Sequence, residues 1–329
     1  KKMIVSKTPY RISFFGGGTD YPSWFKDHKG KILSTTIDKF VYLTVRKLPP
    51  YFNYKHRVVW SKVENVNNFK EIQHNVVREM LKYYKIKNGL EIHYQGDIPA
   101  RTGMGSSSSF VVGLMNTLHC QKKIKISKLD LAKKCIFFEQ KILNEVVGIQ
   151  DQISASFGGF NKISIEKNGS FKINKIKIDN KIKNFNQNLL LLFTGIHRTA
   201  NEIAGQYVSD LRRKKIFEMR EINSQVEEAE ELLKKNEFNN FGKLLNEGWK
   251  LKKSLSKVIS NRRIDDLYNF AIKNGALGGK LLGAGGGGFM LIYMPHYKQK
   301  KFLKKIKKVI SAPFNFTNQG SEIILNNEL

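Results

Sequence analysis

The most restrictive feature of this chain is a run of glycines and serines, PARTGMGSSSSF, at positions 99–110. It follows LEIHYQGDIP, an alternating segment typical of a half-buried strand, and it precedes an apolar helical pattern. A loop that enters a helix leaves the first amide groups unpaired, and these donors form an anion site at the positive end of the helix dipole. Glycines let the backbone approach a ligand, and serine hydroxyls add donors or an oxygen ligand for Mg²⁺. The run therefore predicts a polyphosphate-binding loop.

Other interpretations of this run fit its residues less well. The serines at 106–109 could cap the helix, but one serine is sufficient for a cap. A Walker A loop requires Gly-Lys-Ser/Thr at a fixed spacing, and the run lacks this triplet. A nucleophile elbow requires G-x-S-x-G, which the run also lacks. The polyphosphate interpretation is therefore favoured over a helix cap.

Two further stretches are rich in glycine. In PYRISFFGGGTDYPSWF (9–25), three glycines lie between a strand pattern and Thr19-Asp20. This predicts a wide turn with an exposed carboxylate, and Asp20 then either caps the next segment or accepts hydrogen bonds from a polyol. LGAGGGGF (282–289) formally matches G-x-G-x-x-G, but it leads into a strand pattern and not into a helix, so the dinucleotide interpretation fails. Its glycines indicate backbone held against a ligand or against another loop.

Two acidic residues lie between the second and third stretches. Glu139 falls on the apolar stripe of a helical pattern, and a buried carboxylate is costly without a positive partner. Mg²⁺ beside the phosphate loop would supply that partner, and a lysine ion pair is the alternative. Asp151 follows a glycine at the start of another helical pattern. It is either an ordinary N-cap or a group that accepts a proton from, or orients, a hydroxyl nucleophile.

Length and patterning predict two α+β domains. A chain of 329 residues suits about two domains, and strand and helix patterns alternate along both halves. An Asn- and Lys-rich segment around 160–185 resembles a boundary. We therefore predict one domain at 1–185 with the phosphate loop and Asp151, and a second at 186–329 with the third glycine stretch.

The net charge of +29 raises the question of a nucleic-acid partner. Lysine greatly outnumbers arginine, however, whereas base recognition favours arginine. The densest basic run, 297–310, has apolar residues at helical spacing, which is typical of a solvated amphipathic helix. We therefore expect small anionic partners, with no nucleic acid and no membrane contact. With only two cysteines and no signal peptide pattern, we expect a cytoplasmic protein, and a homo-oligomer is left open.

Taken together, the three glycine stretches resemble the signature motifs of a known superfamily. The order PYRISFFGGGTDY, PARTGMGSSSS, KLLGAGGGGF, with an acidic pair between the last two, resembles the GHMP kinases across nearly the whole chain. The resemblance implies a two-domain α+β fold, with an N-terminal domain like ribosomal protein S5 and a C-terminal ferredoxin-like α/β domain. The active site is then expected in the cleft between these domains.

Within the superfamily, FGGGTDYP and FTGIHRTANEI look most like the D-glycero-α-D-manno-heptose 7-phosphate kinases. This resemblance implies ATP-dependent phosphorylation of the anomeric hydroxyl to give the 1,7-bisphosphate, in GDP-heptose synthesis for capsule or surface polysaccharide. Galactokinases carry Glu-His where this chain has Gly17-Gly18, and the smaller residues leave space for a longer sugar. Kinases of a free sugar such as fucose or galactose remain an alternative, as does a nucleic-acid-binding or inactive regulatory protein on the same fold.

The resemblance also implies roles for individual residues. The second motif is expected to surround the ATP phosphates with Gly103, Met104, Gly105, Ser106, Ser107 and Ser108. Mg²⁺ is expected on Ser107 and Glu139, while Asp151 matches the catalytic aspartate and Arg11 the basic residue that stabilises the transferring phosphoryl group. The residues expected at the substrate are Gly17, Gly18, Thr19, Asp20, Arg198, Gly285 and Gly286. Arg198 is the candidate for the substrate phosphate, since a guanidinium matches phosphate oxygens; His197 is expected to assist, and Arg101 to contact nucleotide or substrate.

Overall fold

The computed structural model describes residues 3–198, 200–306 and 309–327. These residues form two antiparallel-rich β-sheets with helices packed on them. The strands are β1 (Met3–Phe15), β2 (Gly30–Lys47), β3 (His56–Val59), β4 (Val63–Val66), β5 (Leu90–Gly96), β6 (Phe160–Ile165), β7 (Phe171–Ile176), β8 (Leu189–Phe193), β9 (Gly278–Leu281), β10 (Phe289–Tyr293), β11 (Phe316–Thr317) and β12 (Glu322–Asn326).

The α-helices pack on the two sheets. They are α1 (Pro22–His28), α2 (Asn75–Tyr83), α3 (Ser106–Gln121), α4 (Lys128–Phe137), α5 (Gln150–Phe157), α6 (Asn180–Gln187), α7 (Ala200–Gly205), α8 (Leu211–Lys214), α9 (Ile216–Lys235), α10 (Phe238–Leu255), α11 (Arg262–Lys273) and α12 (His296–Lys305). A π-helical turn, Phe138–Ile142, continues α4 and brings Glu139 into the interior.

The larger sheet is built on the two longest strands, β1 and β2. Its main order is β12-β1-β2-β5-β3-β4, and β6 pairs with the first part of β2 while β7 pairs with β6. β1 alternates buried and half-buried residues at its start and is buried on both faces from Thr8 onward. The second half of β1 is covered because α3 and α5 pack against it from the N-terminal half of the chain, and α9 and α10 from the C-terminal half. β1 therefore carries Arg11 into a fully enclosed position.

The smaller sheet has the order β8-β10-β9 and is entirely antiparallel. Its first strand, LLLLF, is a continuous apolar run, as expected for a strand that is covered on both faces. Leu192, Met290 and Ile292 are completely buried and form a core with residues of α8 to α11. The glycine stretch 282–289 connects β9 to β10 at the edge that faces the larger sheet. Two sheets with packed helices confirm the predicted α+β class.

The end of the chain returns to the larger sheet. β12 pairs with β1, and the two-residue strand β11 pairs with β2. The predicted division at residue 186 falls within α6 and separates β7 from β8, but the last residues of the second segment complete the first sheet. The domain boundary predicted from the sequence therefore differs from the boundary between the two sheets. An edge strand pairs with the strand that can hydrogen-bond to it, whatever their order along the chain.

The lysine-rich segment forms a surface helix, as the apolar spacing predicts. In α12, Phe302 is 1% exposed, while the neighbouring lysines lie on the outer face. Among the helices of residues 3–198, 200–306 and 309–327, none is long and apolar enough to span a membrane.

Candidate active site

The phosphate loop lies between β5 and α3. Gly105 is the N-cap of α3 and has a left-handed conformation, with φ of 77°, which glycine adopts without strain. The Arg11 amide donates to the Met104 carbonyl oxygen at 3.1 Å, so β1 holds the loop from one side. A Cβ on Gly103 would lie 2.4 Å from the Leu282 oxygen, so the third glycine stretch closes on it from the other side. The loop is thus fixed at the junction of both halves of the chain.

The four serines have four different environments. Ser106 accepts a hydrogen bond from the Arg101 amide at 3.3 Å, and Ser109 donates to the Pro9 oxygen at 2.9 Å. Ser108 is buried and its hydroxyl lies 2.9 and 3.0 Å from the two carboxyl oxygens of Glu139. Ser107 is exposed and makes no hydrogen bond with another described residue. The run therefore both anchors the helix and leaves one hydroxyl and the first helical amides facing solvent.

Arg11 and Asp151 form a bidentate ion pair at the N-terminus of α5. Arg11 Nε lies 2.7 Å from Asp151 Oδ1 and Nη2 lies 2.9 Å from Oδ2, while Nη1 donates to the Gly103 oxygen at 2.7 Å. The Arg11 side chain is 5% exposed and the Asp151 side chain is 25% exposed, so only the carboxylate reaches the cleft. A Cβ on Gly105 would lie 3.4 Å from Asp151 Oδ2, which places the phosphate loop directly against this pair.

Glu139 is completely buried beside the phosphate loop. Its carboxylate accepts hydrogen bonds from Ser108 and from the Gln152 amide, and none of the described residues forms a salt bridge with it. Burial, reinforced by the charge of Glu145, raises the pKa of Glu139 to about 8. Gln152 Oε1 is also buried and without a hydrogen-bond partner among the described residues. The predicted burial of Glu139 is present, and the alternative of a lysine ion pair is not found among the described residues.

Asp20 lies on the other side of Asp151, in the first glycine turn. It is 1% exposed and accepts hydrogen bonds from the amides of Gly18 and Gln150, each at 3.2 Å. The prediction of an exposed carboxylate at Asp20 is therefore wrong, because α5 covers the turn. Burial, together with the charge of Asp151, raises the pKa of Asp20 to about 6. Gly148 approaches so closely that a Cβ there would overlap the Asp20 carboxyl group.

Thr19 differs from the expectation for a substrate contact. It is completely buried, and its hydroxyl lies 2.8 Å from the Gly16 oxygen, 2.9 Å from the Lys31 oxygen and 3.1 Å from the Lys31 amide. These partners use its hydrogen-bonding capacity within the turn. Thr19 therefore shapes the turn, and Gly17 is the glycine of this stretch with the most open surroundings.

Gly285 and Gly286 also differ from the expectation for substrate contacts. A Cβ on Gly285 would lie 2.8 Å from Ile259 Cα, and the Gly286 amide donates to the Ile259 oxygen at 2.9 Å. On the other side of the stretch, the Phe289 amide donates to the Thr102 oxygen at 3.0 Å. The two glycines therefore allow close packing of loops, the second of the two interpretations that the sequence left open.

Arg198 lies on the exposed rim beside the phosphate loop. Its amide donates to the Arg101 oxygen at 3.2 Å, and His197 Nδ1 lies 3.4 Å from the Ala100 oxygen. A Cβ on Gly286 would lie 3.5 Å from Arg198 Cγ. Two arginines are thus adjacent at the entrance to the loop, and the contacts of Arg198 are with the glycine–serine loop and not with the Asp20 turn.

Sequence reasoning missed two lysines that lie behind the first glycine turn, Lys252 of α10 and Lys280 of β9. In a chain with 57 basic residues, a lysine by itself carries no signal. The one available signal is that Lys280 begins the KLLGAGGGGF motif. Tyr207 was also missed; it donates to the Ala284 oxygen at 3.1 Å, and the charge of Asp20 contributes to raising its pKa.

The two-sheet fold and this cleft define a kinase of the GHMP class. Residues 70–159 match the family described as GHMP kinases N terminal domain, and residues 229–312 match GHMP kinases C terminal. The chain belongs to this family and is accordingly a phosphotransferase, as the three motifs predicted.

Among known proteins, the chain is similar to D-glycero-alpha-D-manno-heptose 7-phosphate kinase of Campylobacter jejuni, at 29% identity over 97% of this chain and 98% of that protein. It is 22% identical to a galactokinase of Thermotoga neapolitana, over 96% of this chain and 97% of the galactokinase. Its fold is similar to the crystal structure of a D-glycero-D-manno-heptose 1-phosphate kinase from Bacteroides thetaiotaomicron, with a TM-score of 0.78, 21% identity and 97% coverage of both chains. These similarities support a sugar kinase.

Proposed function

We propose that this protein transfers the γ-phosphoryl group of ATP to the anomeric hydroxyl of D-glycero-D-manno-heptose 7-phosphate, giving the 1,7-bisphosphate. The proposal places this step in the formation of GDP-heptose for capsule or surface polysaccharide. One observation carries it: the phosphate loop packs at Gly105 directly against the Arg11–Asp151 pair, with the Asp20 turn on the far side. A phosphate donor and a polyhydroxylated acceptor can therefore meet at Asp151. The similarity to the Campylobacter jejuni kinase supports the choice of sugar.

Asp151 is proposed to receive or orient the proton of the attacking hydroxyl. Its carboxylate is held in one orientation by the bidentate contact with Arg11, and such a fixed position is what general-base assistance requires. Arg11 is buried and anchored to the Gly103 oxygen, so its positive charge lies between the acceptor side and the phosphate loop. Charge that develops on the transferring phosphoryl group is stabilised by a cation fixed in this place.

The residues beside the loop fit a magnesium ion. Glu139 is a buried carboxylate without a positive partner among the described residues, and Gln152 Oε1 beside it is an unpartnered oxygen. Magnesium prefers such oxygen ligands and shares them with nucleotide phosphates. We propose Glu139 and Ser107 as its protein ligands; Ser108, which already contacts Glu139, is the second hydroxyl to test. When bound, the ion would neutralise charge on the ATP phosphates.

The two ligands are proposed to enter from different sides. The ATP phosphates bind the loop through the backbone of Gly103 to Gly105, the amides of Ser106 to Ser108, and the hydroxyls that remain free. The sugar hydroxyls face Gly17, Gly18 and Asp20, where the Asp20 carboxylate is an acceptor already held by two amides. Arg198 is kept as a candidate contact for the substrate phosphate from the rim.

A coupled assay for ADP release over a panel of acceptors tests the proposal. The panel contains D-glycero-D-manno-heptose 7-phosphate, the unphosphorylated heptose, fucose and galactose, with Asp151→Asn as the inactive control. We expect the highest kcat/KM with the heptose 7-phosphate and loss of turnover in the control. Equal kcat/KM for the phosphorylated and unphosphorylated heptose would instead assign the protein to the kinases of free sugars.

A further inference from the structure

Two ammonium groups lie behind the first glycine turn, and none of the described residues pairs them with a carboxylate. Lys280 is 8% exposed, and its Nζ donates to the Phe14 oxygen at 2.7 Å. Lys252 donates to the Leu281 oxygen at 2.9 Å and to the Gly283 oxygen at 2.5 Å. Each ammonium has three donors, so two donors of Lys280 and one of Lys252 remain for another partner.

These lysines line a narrow cleft together with the glycine turn. Its wall includes Gly16, Gly17 and Gln225. Gln225 is 7% exposed, and its side-chain amide makes no hydrogen bond with another described residue. The enclosed part of the cleft has room for about one water molecule, so a larger group would lie at its mouth. The mouth is open at Gly17, where the nearest atom to an added Cβ would be the Ser13 hydroxyl at 3.9 Å.

The Ser13 hydroxyl is a second, independent sign of a ligand. The residue is 5% exposed, and its oxygen is buried with no hydrogen-bond partner among the described residues. A buried hydroxyl without a partner costs free energy, and such groups are usually satisfied by a bound molecule when the protein does not satisfy them. The cleft therefore offers unused donors from two lysines and one amide, and the unpartnered Ser13 hydroxyl lies beside its mouth at Gly17.

The charged groups around this cleft are all positive, and burial and these charges together lower the pKa of both lysines. Burial, together with the neighbouring charge of Arg11, lowers the pKa of Lys280 to about 7. Burial also lowers the pKa of Lys252, with contributions from Lys280 and Arg11. Arg11 is already paired with Asp151, but the lysines have carbonyl partners only. A dianionic group at the cleft mouth would compensate both ammonium charges and strengthen their hydrogen bonds.

We propose that Lys252 and Lys280, with Gln225 and Ser13, form the subsite for the distal phosphate of the sugar phosphate substrate. This inference rests on the proposed function, because it requires an acceptor that carries a phosphate. Gly17 adds no side chain between the Asp20 turn and the lysines, while the side chains of Met219 and Leu211 border Gly18. If the lysines only linked α10, β9 and β1, they would not distinguish one acceptor from another. The proposed subsite predicts that they do.

The position of this subsite differs from that of Arg198. The arginine borders the phosphate loop at Arg101, whereas the lysines border the glycine turn that presents Asp20. Arg198 is exposed, whereas Lys280 is 8% exposed. Charge interactions are stronger in a buried site than at the surface, which favours the lysine subsite.

The test compares Lys280→Met and Lys252→Met with a matched control, Lys250→Met, which makes the same change at an exposed position of α10. For each protein, kcat and KM are measured with D-glycero-D-manno-heptose 7-phosphate and with the unphosphorylated heptose. We expect the ratio of the two kcat/KM values to fall about tenfold to a hundredfold in the two variants, mainly through KM for the phosphorylated sugar. The control keeps the wild-type ratio. Arg198→Ala, measured in parallel, changes the ratio less than Lys280→Met.

An unchanged ratio, with both substrates affected equally or not at all, overturns the subsite and makes the lysines structural. If Lys280→Met does not fold, Lys252→Met decides the question. A calorimetric titration with the heptose 7-phosphate in the presence of ADP separates this result from failure of the proposed function. If the wild-type protein binds the heptose 7-phosphate without turnover, and this binding weakens in the lysine variants, the subsite is supported and the proposed reaction is rejected. If the variants turn over substrate with an unchanged ratio, the proposed reaction is supported and the subsite is rejected. Neither binding nor turnover by the wild-type protein rejects both.

Discussion

Two regions on opposite sides of the Arg11–Asp151 pair hold buried charge of opposite sign. On the side of the phosphate loop, Glu139 is a buried carboxylate whose partners are a serine hydroxyl and a glutamine amide. On the side of the first glycine turn, Lys252 and Lys280 are ammonium groups whose partners are backbone carbonyls. Burial shifts the pKa of each group toward its neutral form, upward for Glu139 and downward for the lysines.

The difference between these regions indicates what each binds. A buried charge that has only neutral partners is costly, and the cost is removed by a ligand of opposite charge. The Glu139 region therefore suits a cation, and the lysine region suits an anion. In the Arg11–Asp151 pair between them, each charge is compensated by the other, so the pair needs no ligand to stabilise it. This agrees with the proposal that the pair acts on the reacting groups. The predictions below test this division, from the largest expected effect to the smallest.

The central pair should give the largest effect on turnover. Asp151→Asn keeps the size of the side chain but removes the carboxylate that accepts or orients the proton, so kcat should fall about 10³-fold. Binding of ATP, measured by calorimetry, should stay within about threefold of wild type, because the loop amides are unaffected. A variant with wild-type kcat would exclude Asp151 from the reaction. The Glu139 region and the lysine region would then have no catalytic residue between them.

Removal of the charge on the cation side should shift the metal requirement. Glu139→Gln preserves the shape of the side chain but removes the charge of the proposed metal ligand, so half-maximal activity should need about 10- to 100-fold more Mg²⁺. The readout is an Mg²⁺ titration of kcat at saturating ATP and, independently of activity, of the melting temperature in the presence of ADP. Glu228→Gln is the control, since it makes the same change at an exposed position of α9. Superimposable Mg²⁺ titrations for wild type and Glu139→Gln would show that the Glu139 region does not bind the cation.

Asp20 tests whether the acceptor side tolerates a negative charge. Its pKa is raised to about 6, so the folded protein holds a proton on Asp20 that the unfolded chain releases between about pH 4 and 6. The free energy of unfolding should therefore fall as pH rises through this window, by about 3 kcal/mol from this group. Asp20→Asn should flatten that part of the profile.

Urea unfolding at intervals from pH 4 to pH 7 measures this slope. Asp266→Asn, at a carboxylate that is 71% exposed, provides the matched control and should keep the wild-type slope. If Asp20→Asn and wild type decline in parallel, the Asp20 carboxylate is ionised throughout the range, and its pKa is not raised by burial.

The two adjacent serines provide the smallest and most specific comparison. Ser108→Ala removes a buried partner of Glu139 and should lower the free energy of unfolding by about 1–2 kcal/mol without ligand. Ser107→Ala changes an exposed residue and should alter the free energy of unfolding by less than about 0.5 kcal/mol. With Mg²⁺ and ADP present, however, Ser107→Ala should bind several-fold more weakly if Ser107 is a metal ligand. Weaker binding in Ser108→Ala alone would transfer that role to Ser108.

Much of this site could be predicted because its signals are local. The strand, glycine–serine loop and helix sequence predicted an anion-binding helix terminus at 103–108, and the helical phase of Glu139 predicted its burial. The π-helical turn at 138–142 was not predicted, although it helps to set the direction of the carboxylate. Asp20 was predicted in the correct turn but with the wrong exposure, because its burial depends on α5, which lies 130 residues further along the chain.

The amino-acid sequence by itself indicated most helices and strands, because periodicity and turn chemistry act over a few neighbouring residues. The order of the three glycine stretches carried the resemblance to the GHMP kinases, which the family match confirms. Tertiary structure decided which side chains meet. Arg11 reaches Asp151 across 140 positions, and Lys280 reaches Phe14 across 266. It also decided that Gly285 and Gly286 pack against other loops. Such contacts depend on how two sheets dock, and no local pattern encodes the docking of residues so far apart.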